Sequence, residues 1–199
     1  MTNQGLTFID PANGDRLGKH DLLFGGYRVV QPLVLDDSSV LIGTSMESGT
    51  RRIKVRLEGG KFIAQEQWLS RRMSPSFNDY VAHAGYLYGF DNNIFACVDL
   101  AMGERKWKKG RYGNGQVLLL PDGDQLLVLA EDGELVLLRT TSESLVELAR
   151  HQVLEGRTWN HPVLVGDRLY VRNGEEAACY EMPTVQPVQN QLTDQARVE

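Results

Sequence analysis

The sequence predicts an all-β protein, a β-propeller built from four-stranded antiparallel blades. Two sets of positions recur at an interval of 41 residues: the turn pairs Asp91-Asn92, Asp132-Gly133 and Asn173-Gly174, and then Cys97, Leu138 and Cys179 in the segments that follow. An interval near 40 residues with four short strands per repeat is typical of one propeller blade. The composition agrees, because 20 Gly and 7 Pro favour frequent turns over long helices.

The predicted strands group into blades in sequence order. Residues 5–10 and 15–20 form the third and fourth strands of a blade whose first half is missing. Three complete blades are predicted at about 31–68, 77–108 and 115–149, and a last blade of three strands runs from His161 to Met182. Residues 1–182 therefore hold about four blade equivalents. Residues 183–199 are polar and poor in aromatic side chains, and are predicted to form a disordered tail.

The missing strand of the last blade raises the question of how the ring closes. An unpaired sheet edge promotes aggregation, and propellers commonly close by letting one terminus supply the missing strand. The N-terminal segment is the expected donor, either within one chain or to a second copy in a homodimer. Two copies would supply eight blades, and we expect the dimer.

The two cysteines are predicted to be free and buried. Cys97 and Cys179 hold the same position two repeats apart, in the predicted third strands 94–99 and 176–181, with the equivalent strand 135–140 between them. Equivalent positions in non-adjacent blades lie beyond the roughly 4.4–6.8 Å between Cα atoms that a disulfide allows. Cysteine often packs as a small apolar residue. No His lies beside either cysteine in the sequence, so no catalytic thiol is predicted.

A second marker occurs twice in the chain. One copy, CVDLAMGERKW, carries Asp99, Gly103 and Trp107. The other copy, FIDPANGDRLG, carries Asp10 and Gly14 at the same spacing. The glycine is suited to a turn with positive φ, and the aspartate can cap that turn with its side chain. The tryptophan is expected to pack between neighbouring blades.

The first copy resembles the Ala-x-Asp-x-x-Thr-Gly-x-x-x-Trp motif of pyrroloquinoline-quinone (PQQ)-type propeller repeats. Asp99, Gly103 and Trp107 match the motif, while Cys97 and Met102 stand for its Ala and Thr.

The resemblance spans about residues 5–182 and departs from the motif in two places. The N-terminal copy has Phe8 at the Ala and Gly18 at the Trp position, and the third blade has Thr140 for the Asp and Glu147 for the Trp. Members of this family usually have eight blades, so the resemblance implies the C-terminal half of such a ring. The family includes quinoprotein dehydrogenases and also cofactor-free scaffolds, such as the lipoprotein of outer-membrane protein assembly. It implies a periplasmic or cell-envelope location.

No cofactor is predicted, and PQQ with calcium is the alternative that the resemblance leaves open. A quinone site requires a ring of ligands that includes oxygen ligands to Ca²⁺. The acidic turns of the chain lack the spaced oxygen ligands of a calcium loop, and hairpin turn chemistry explains them. The four His show no zinc spacing, so no metal site is predicted.

The candidate ligand-binding residues lie where the chain enters two blades. Trp159, Asn160 and His161 precede the first strand of the last blade, and Asn78 and Asp79 hold the corresponding place two blades earlier. Such entrance segments line one end of a propeller channel, and loops on a rigid scaffold often carry function. The alternative is that these side chains only satisfy backbone groups of their loops.

The remaining features exclude several classes of function. The basic run 105–111 contains a tryptophan, but the chain carries 26 acids against 21 bases, so no nucleic-acid partner is predicted. No run approaches 18 apolar residues, so no transmembrane helix is predicted. Residues 1–5 lack the features of a signal peptide.

Three hypotheses remain for the function. The favoured one is a non-catalytic scaffold that binds a protein partner or a second copy of itself. The alternatives are a remnant of a quinoprotein dehydrogenase and a sugar- or peptide-binding module at the channel mouth.

Overall fold

The computed structural model describes residues 1–2, 4–22, 28–45 and 48–183. In these ranges the chain is all-β, with a 3₁₀ turn at Pro121–Gly123 as its helical element. The predicted disordered tail lies outside the described residues from position 184 onward. No helix in the described part of the chain is long and apolar enough to cross a membrane.

The strands form five antiparallel sheets in sequence order. The N-terminal hairpin consists of β1 (Gly5–Ile9) and β2 (Arg16–Asp21). Blade 1 consists of β3 (Leu33–Val34), β4 (Ser39–Thr44), β5 (Gly49–Glu58) and β6 (Lys61–Ser70). Blade 2 consists of β7 (Val81–His83), β8 (Tyr86–Asp91), β9 (Ile94–Asp99) and β10 (Arg105–Arg111). Blade 3 consists of β11 (Gln116–Leu120), β12 (Gln125–Leu129), β13 (Glu134–Arg139) and β14 (Val146–Gln152). Blade 4 consists of β15 (Val163–Val165), β16 (Arg168–Arg172) and β17 (Ala177–Glu181).

This architecture confirms the predicted propeller with about four blade equivalents. Each complete blade is a four-stranded sheet in which consecutive strands pair, as the repeat predicts. The buried side chains form four clusters, one between each pair of successive sheets. The core is layered between blades because alternate side chains of one strand point to opposite neighbours.

The 41-residue interval places the third strands correctly, but the register of blade 3 differs by one residue. Cys97 lies opposite Tyr88 and faces blade 3, whereas Leu138 lies opposite Leu126 and faces blade 2. The cause is the length of the turn before β13. The Ala130 N–H donates to the Glu134 carbonyl across this turn, and the loop between these two residues is longer than the loop between Asp91 and Ile94 that precedes β9. The prediction that Leu138 is equivalent to Cys97 is therefore wrong, since a shift of one residue reverses the face of a strand.

The two cysteines are both free, but only one is buried. Cys97 is enclosed between blades 2 and 3, and burial raises the pKa of its thiol to about 12. Cys179 is exposed, so its predicted burial is wrong. It points to the side of blade 4 that faces away from blade 3, and no further sheet covers that side in the described ranges.

The two Asp–Gly turns share internal hydrogen bonds, and the Asp99 carboxylate accepts one more. The Asp10 carboxylate accepts from the Ala12 N–H at 2.9 Å, and the Asp99 carboxylate accepts from the N–H groups of the two residues that follow Leu100, at 2.9 and 3.0 Å. In each turn the glycine N–H donates to the aspartate carbonyl at 2.8 Å. Gly103 has φ of 72° and lies against the Trp68 ring, where a Cβ would approach ring carbons to 2.9 Å.

Asp99→Ala is expected to lower the free energy of unfolding by about 1 kcal/mol, because two backbone N–H groups lose their acceptor. Urea unfolding followed by circular dichroism measures the change. Asp122→Ala is the matched control, since Asp122 is exposed, and we expect its effect to stay within about 0.5 kcal/mol. Equal effects of the two substitutions would contradict the capping role.

Two tryptophans connect successive blades. Trp107 of β10 is 7% exposed and its indole N–H donates to the Thr141 carbonyl of blade 3 at 2.8 Å. Trp68 of β6 donates in the same way to the Leu100 carbonyl of blade 2 at 3.1 Å. Each ring therefore packs between blades, as the motif predicts for Trp107.

The N-terminal hairpin does not complete blade 4 of its own chain. Strands β1 and β2 pair with each other, and Leu6 lies in the core against blade 1. Gly18 approaches the Phe62 carbonyl so closely that a Cβ would lie 2.6 Å from it. Strand β17 pairs with β16, and its other edge carries no strand within the described residues. Among the described residues, closure of the ring inside one chain, one of the two expected routes, is thus not observed.

Candidate binding site at the blade entrances

The segments that lead into the first strand of each blade meet at one place, and Asp79 is the residue that connects them. Its carboxylate accepts from the Gln31 N–H of blade 1 at 3.1 Å and lies 3.2 Å from Nε2 of His161 in blade 4. Its backbone N–H donates to Oε1 of Gln116 in blade 3 at 3.2 Å. Gln116 in turn donates through Nε2 to the Trp159 carbonyl at 3.2 Å. Four blades therefore converge on this group, which we call the entrance cluster.

The two asparagines that the sequence indicates differ in accessibility. Asn78 is fully buried, and its side chain donates to the Gly115 carbonyl at 2.6 Å and accepts from the Ser76 N–H at 3.2 Å. Asn78 therefore fixes the loop and is not accessible to a ligand. Asn160 is half-buried between Trp159 and His161.

Trp159 is the exposed aromatic residue of the entrance cluster. Its side chain is held on three sides although the residue is 42% exposed. The indole N–H donates to Oε1 of Glu131 at 2.8 Å. The Phe77 ring packs edge-on with its centroid 5.2 Å away, and the Arg157 guanidinium lies 5.0 Å from the indole centroid. An aromatic ring that is fixed before binding loses little conformational entropy when a ligand contacts it.

Three of these partners were not predicted from the sequence. Phe77 carried a detectable signal, because it lies 82 residues before Trp159 and so holds the same position two repeats earlier. Glu131 and Arg157 carried none. Arg157 lies two residues before Trp159 in the same loop, but the sequence does not state that its guanidinium turns back over the ring. Glu131 lies in another loop, and only the packing of blade 3 against blade 4 brings it to Trp159.

Glu131 supplies a fixed negative charge beside the indole ring. The Asn114 backbone N–H donates to its carboxylate at 3.0 Å and lowers its pKa. Burial opposes this change in pKa, while the hydrogen bonds from Trp159 and the Asn114 side chain and the charge of Arg157 lower the pKa further. The net direction is downward, so Glu131 is ionised at neutral pH.

A groove of about 440 Å³ opens beside Trp159. Its lining combines two arginines, two acids and a tyrosine: Arg111, Tyr112, Gly113, Glu131, Asp132, Gly156 and Arg157. Exposed Trp and Arg side chains are the types that most often dominate protein interfaces. The arrangement is suited to binding a polar ligand or a peptide against a fixed ring.

The environment of Trp159 is expected to change with pH only in the acid range. The lowered pKa of Glu131 means that its contribution to stability is present above the unfolded pKa and is lost as the pH falls through the folded pKa. The fluorescence difference between wild type and Trp159→Phe should therefore stay constant from neutral pH down to about pH 4, near the ordinary glutamate pKa, and change below it. In Glu131→Gln the transition should be absent. A transition at neutral pH would contradict this assignment.

The comparisons with known proteins establish the fold of the chain and nothing finer. No protein-family model and no curated protein sequence matches it. The structure is similar to BamB from Moraxella catarrhalis, with a TM-score of 0.63, 18% identity and coverage of 85% of this chain and 50% of that one. The β-propeller domain of Cps50 (Swd1) from Myceliophteria thermophila gives a TM-score of 0.61 at 15% identity, covering 89% of this chain and 64% of that one.

A designed protein matches over nearly its full length. The computationally designed Ika4 protein gives a TM-score of 0.60 at 7% identity, covering 85% of this chain and 99% of that one. The chain thus spans half the length of the BamB chain and almost all of Ika4. These TM-scores support the β-propeller fold, while the PQQ-type resemblance of the repeats stays a prediction.

Proposed function

We propose that this chain is a non-catalytic β-propeller scaffold that binds a protein partner through the entrance cluster. The observation that carries the proposal is Trp159, an exposed ring fixed by Glu131, Phe77 and Arg157 beside an open groove. A preorganised aromatic residue next to an arginine is the usual composition of an interface hot spot. The PQQ-type resemblance supports a cell-envelope location, which we include in the proposal.

The experiment compares capture of partners by the immobilised protein and by Trp159→Ala. We expect the proteins retained by wild type to be lost from Trp159→Ala, because removal of a hot-spot ring typically weakens binding by about 2 kcal/mol or more. Val34→Ala is the matched control, since Val34 is 71% exposed and does not line the groove beside Trp159. Identical retention by all three proteins would reject the entrance cluster as the binding surface.

A sugar- or peptide-binding module is the second candidate, and the same exposed ring favours it. Titration of glycan and peptide panels should then change the fluorescence of wild type but not of Trp159→Phe. A ligand that binds both proteins equally would have to use another surface and would contradict this candidate.

We favour a function without a cofactor over the PQQ alternative. PQQ with Ca²⁺ needs several convergent oxygen ligands. Nowhere in the described structure do three or more His, Cys, Asp or Glu side chains gather as metal ligands. Near the blade entrances Asp79 is paired with His161, and Glu131 is bound by Trp159. We propose a function without cofactor, and a spectral change with dye reduction on adding PQQ, Ca²⁺ and an alcohol would overturn it.

A homodimer is a further candidate for the partner, and the side of blade 4 that no described sheet covers favours it. Each N-terminal hairpin would complete blade 4 of the other copy, in the manner of a domain swap. The hairpin would first have to leave blade 1, where Leu6 is buried. Light scattering decides the question, because a mass of 22.3 kDa would reject the dimer.

A further inference from the structure

Blades 2 and 4 carry the same row of three side chains. In blade 2, Tyr88 lies opposite Val81 on one side and Cys97 on the other. In blade 4, Tyr170 lies opposite Val163 and Cys179 in the same way. Each residue of the second row follows its counterpart by 82 residues, which is two repeats.

The surroundings of the two rows differ. Tyr88 and Cys97 are buried against blade 3, at 1% and 0% exposure. Tyr170 and Val163 are 44% and 51% exposed, although they are the same residue types as their counterparts in blade 2. Contiguous exposed apolar patches are markers of interaction surfaces, and this row is such a contiguous group on one sheet face.

Within residues 1–183 as far as they are described, no strand pairs with the sheet edge next to this row. In blade 2 the outer edge of β9 carries β10, which places Trp107 directly opposite Cys97. In blade 4 the outer edge of β17 is unpaired as far as the structure describes the chain. Free N–H and C=O groups along a sheet edge bind extended segments by adding a strand. Strand β17 contains no Lys or Pro, the residues that commonly protect such edges.

The charges at the edge of β17 indicate which kind of segment fits. Glu176 and Glu181 hold the positions that Ile94 and Asp99 hold in blade 2. In blade 2 these positions face basic residues of β10: Arg111 lies opposite Ile94, and Lys106 lies 4.0 Å from Asp99. The Glu176 carboxylate already accepts from the Glu155 N–H at 2.6 Å, so Glu181, the last residue of β17, is the charge that a cation of a strand with the pattern of β10 would meet.

We propose that the outer edge of blade 4 binds an extended, basic segment of a partner protein, with a large aromatic residue opposite Cys179. The aromatic ring would cover Tyr170 and Cys179 as Trp107 covers Tyr88 and Cys97. The N-terminal hairpin of a second copy is a poorer occupant, because Gly18 stands at the tryptophan position of its motif and would leave the row uncovered. The proposal rests on the scaffold function but uses a surface separate from the entrance cluster.

The experiment uses the full chain and a synthetic peptide with the sequence of residues 103–112, GERKWKKGRY, blocked at both ends. Calorimetry measures its affinity, and hydrogen exchange locates its binding. We expect saturable binding and slower exchange of the amides in residues 177–181. A peptide with Ala in place of Trp should bind at least about tenfold more weakly, which corresponds to about 1.4 kcal/mol. A scrambled peptide of the same composition should bind as weakly.

Protein variants separate this site from the entrance cluster. Tyr170→Ala should weaken peptide binding by about tenfold without unfolding the chain, because Tyr170 is largely outside the core. Val34→Ala and Trp159→Ala should leave peptide binding unchanged. If the peptide does not bind in this way but Trp159→Ala still loses the captured partner, only the strand site is rejected. If the peptide binds in this way but Trp159→Ala retains the captured partner, only the entrance cluster is rejected.

The remaining outcomes overturn the proposal in distinct ways. If the scrambled peptide binds as tightly as the original one, charge attraction alone explains the binding. Binding only after deletion of residues 184–199 would assign the edge to the chain's own C-terminal segment. A dimer that dissociates when the peptide is added would assign the edge to a second copy. Absence of binding to both the full and the shortened chain would reject the edge as a strand-binding site.

Discussion

Trp107→Ala is expected to lower the free energy of unfolding by about 3–5 kcal/mol, as large aromatic truncations in protein cores do. The indole ring lies in the core between blades 2 and 3, with ring centroids 6.1 Å from Phe95 and 6.3 Å from Tyr88. Its removal leaves a cavity at this contact and deprives the Thr141 carbonyl of its hydrogen bond. Chemical denaturation followed by circular dichroism measures the loss.

Two further substitutions divide this effect into its parts. Trp107→Phe keeps most of the ring but removes the indole N–H, so we expect a loss nearer to 1 kcal/mol from the missing hydrogen bond, plus a small cavity term. Trp159→Ala removes an exposed indole, and we expect a smaller loss than for Trp107→Ala. Equal losses for the two tryptophan-to-alanine variants would contradict the different burial of the two rings.

Gly133→Ala is expected to destabilise the chain by about 2–5 kcal/mol, from two independent costs. Gly133 has φ of 86°, which an L-residue with a Cβ rarely adopts. A Cβ at this position would also lie 2.1 Å from the Leu154 carbonyl oxygen, which is backbone and cannot rotate away. The Gly133 carbonyl accepts from the N–H groups of Val153 and Leu154, so any shift of the turn disturbs those bonds as well.

Gly174 is the matched control for this prediction. It holds the same place in the 41-residue repeat, but no atom lies within 4 Å of where its Cβ would be, and its φ is not in the left-handed region. We expect Gly174→Ala to change stability by no more than about 0.5 kcal/mol, or to raise it slightly by restricting the unfolded chain. Thermal unfolding of the two variants in parallel tests the difference. Similar melting temperatures would show that the turn of blade 3 can relax.

The candidate site was only partly predictable from the sequence. Trp159, His161 and Asp79 were indicated because they precede the first strands of two blades, and the structure places all three in the entrance cluster. Asn78 was indicated by the same reasoning, yet its burial makes it a support for the loop. Glu131 was not indicated, because its distance from Trp159 depends on how blade 3 packs against blade 4.

The sequence by itself determined the fold class, the order of the blades and the positions of the third strands. These features follow from local chemistry: turn residues at a fixed interval and strands short enough to pair with their neighbours in sequence. It also determined the Asp–Gly turns, whose hydrogen bonds lie within a few residues of Asp10 and Asp99.

The tertiary structure alone decided which face each strand presents and which faces are covered. Leu138 and Cys97 share a place in the repeat but face opposite neighbours, because one longer turn shifts the register of β13. Cys97 and Cys179 share a residue type and a repeat position, yet one is buried and the other exposed. The physical reason is that burial in a propeller depends on the adjacent blade, and a repeat in the sequence does not state whether that blade is present.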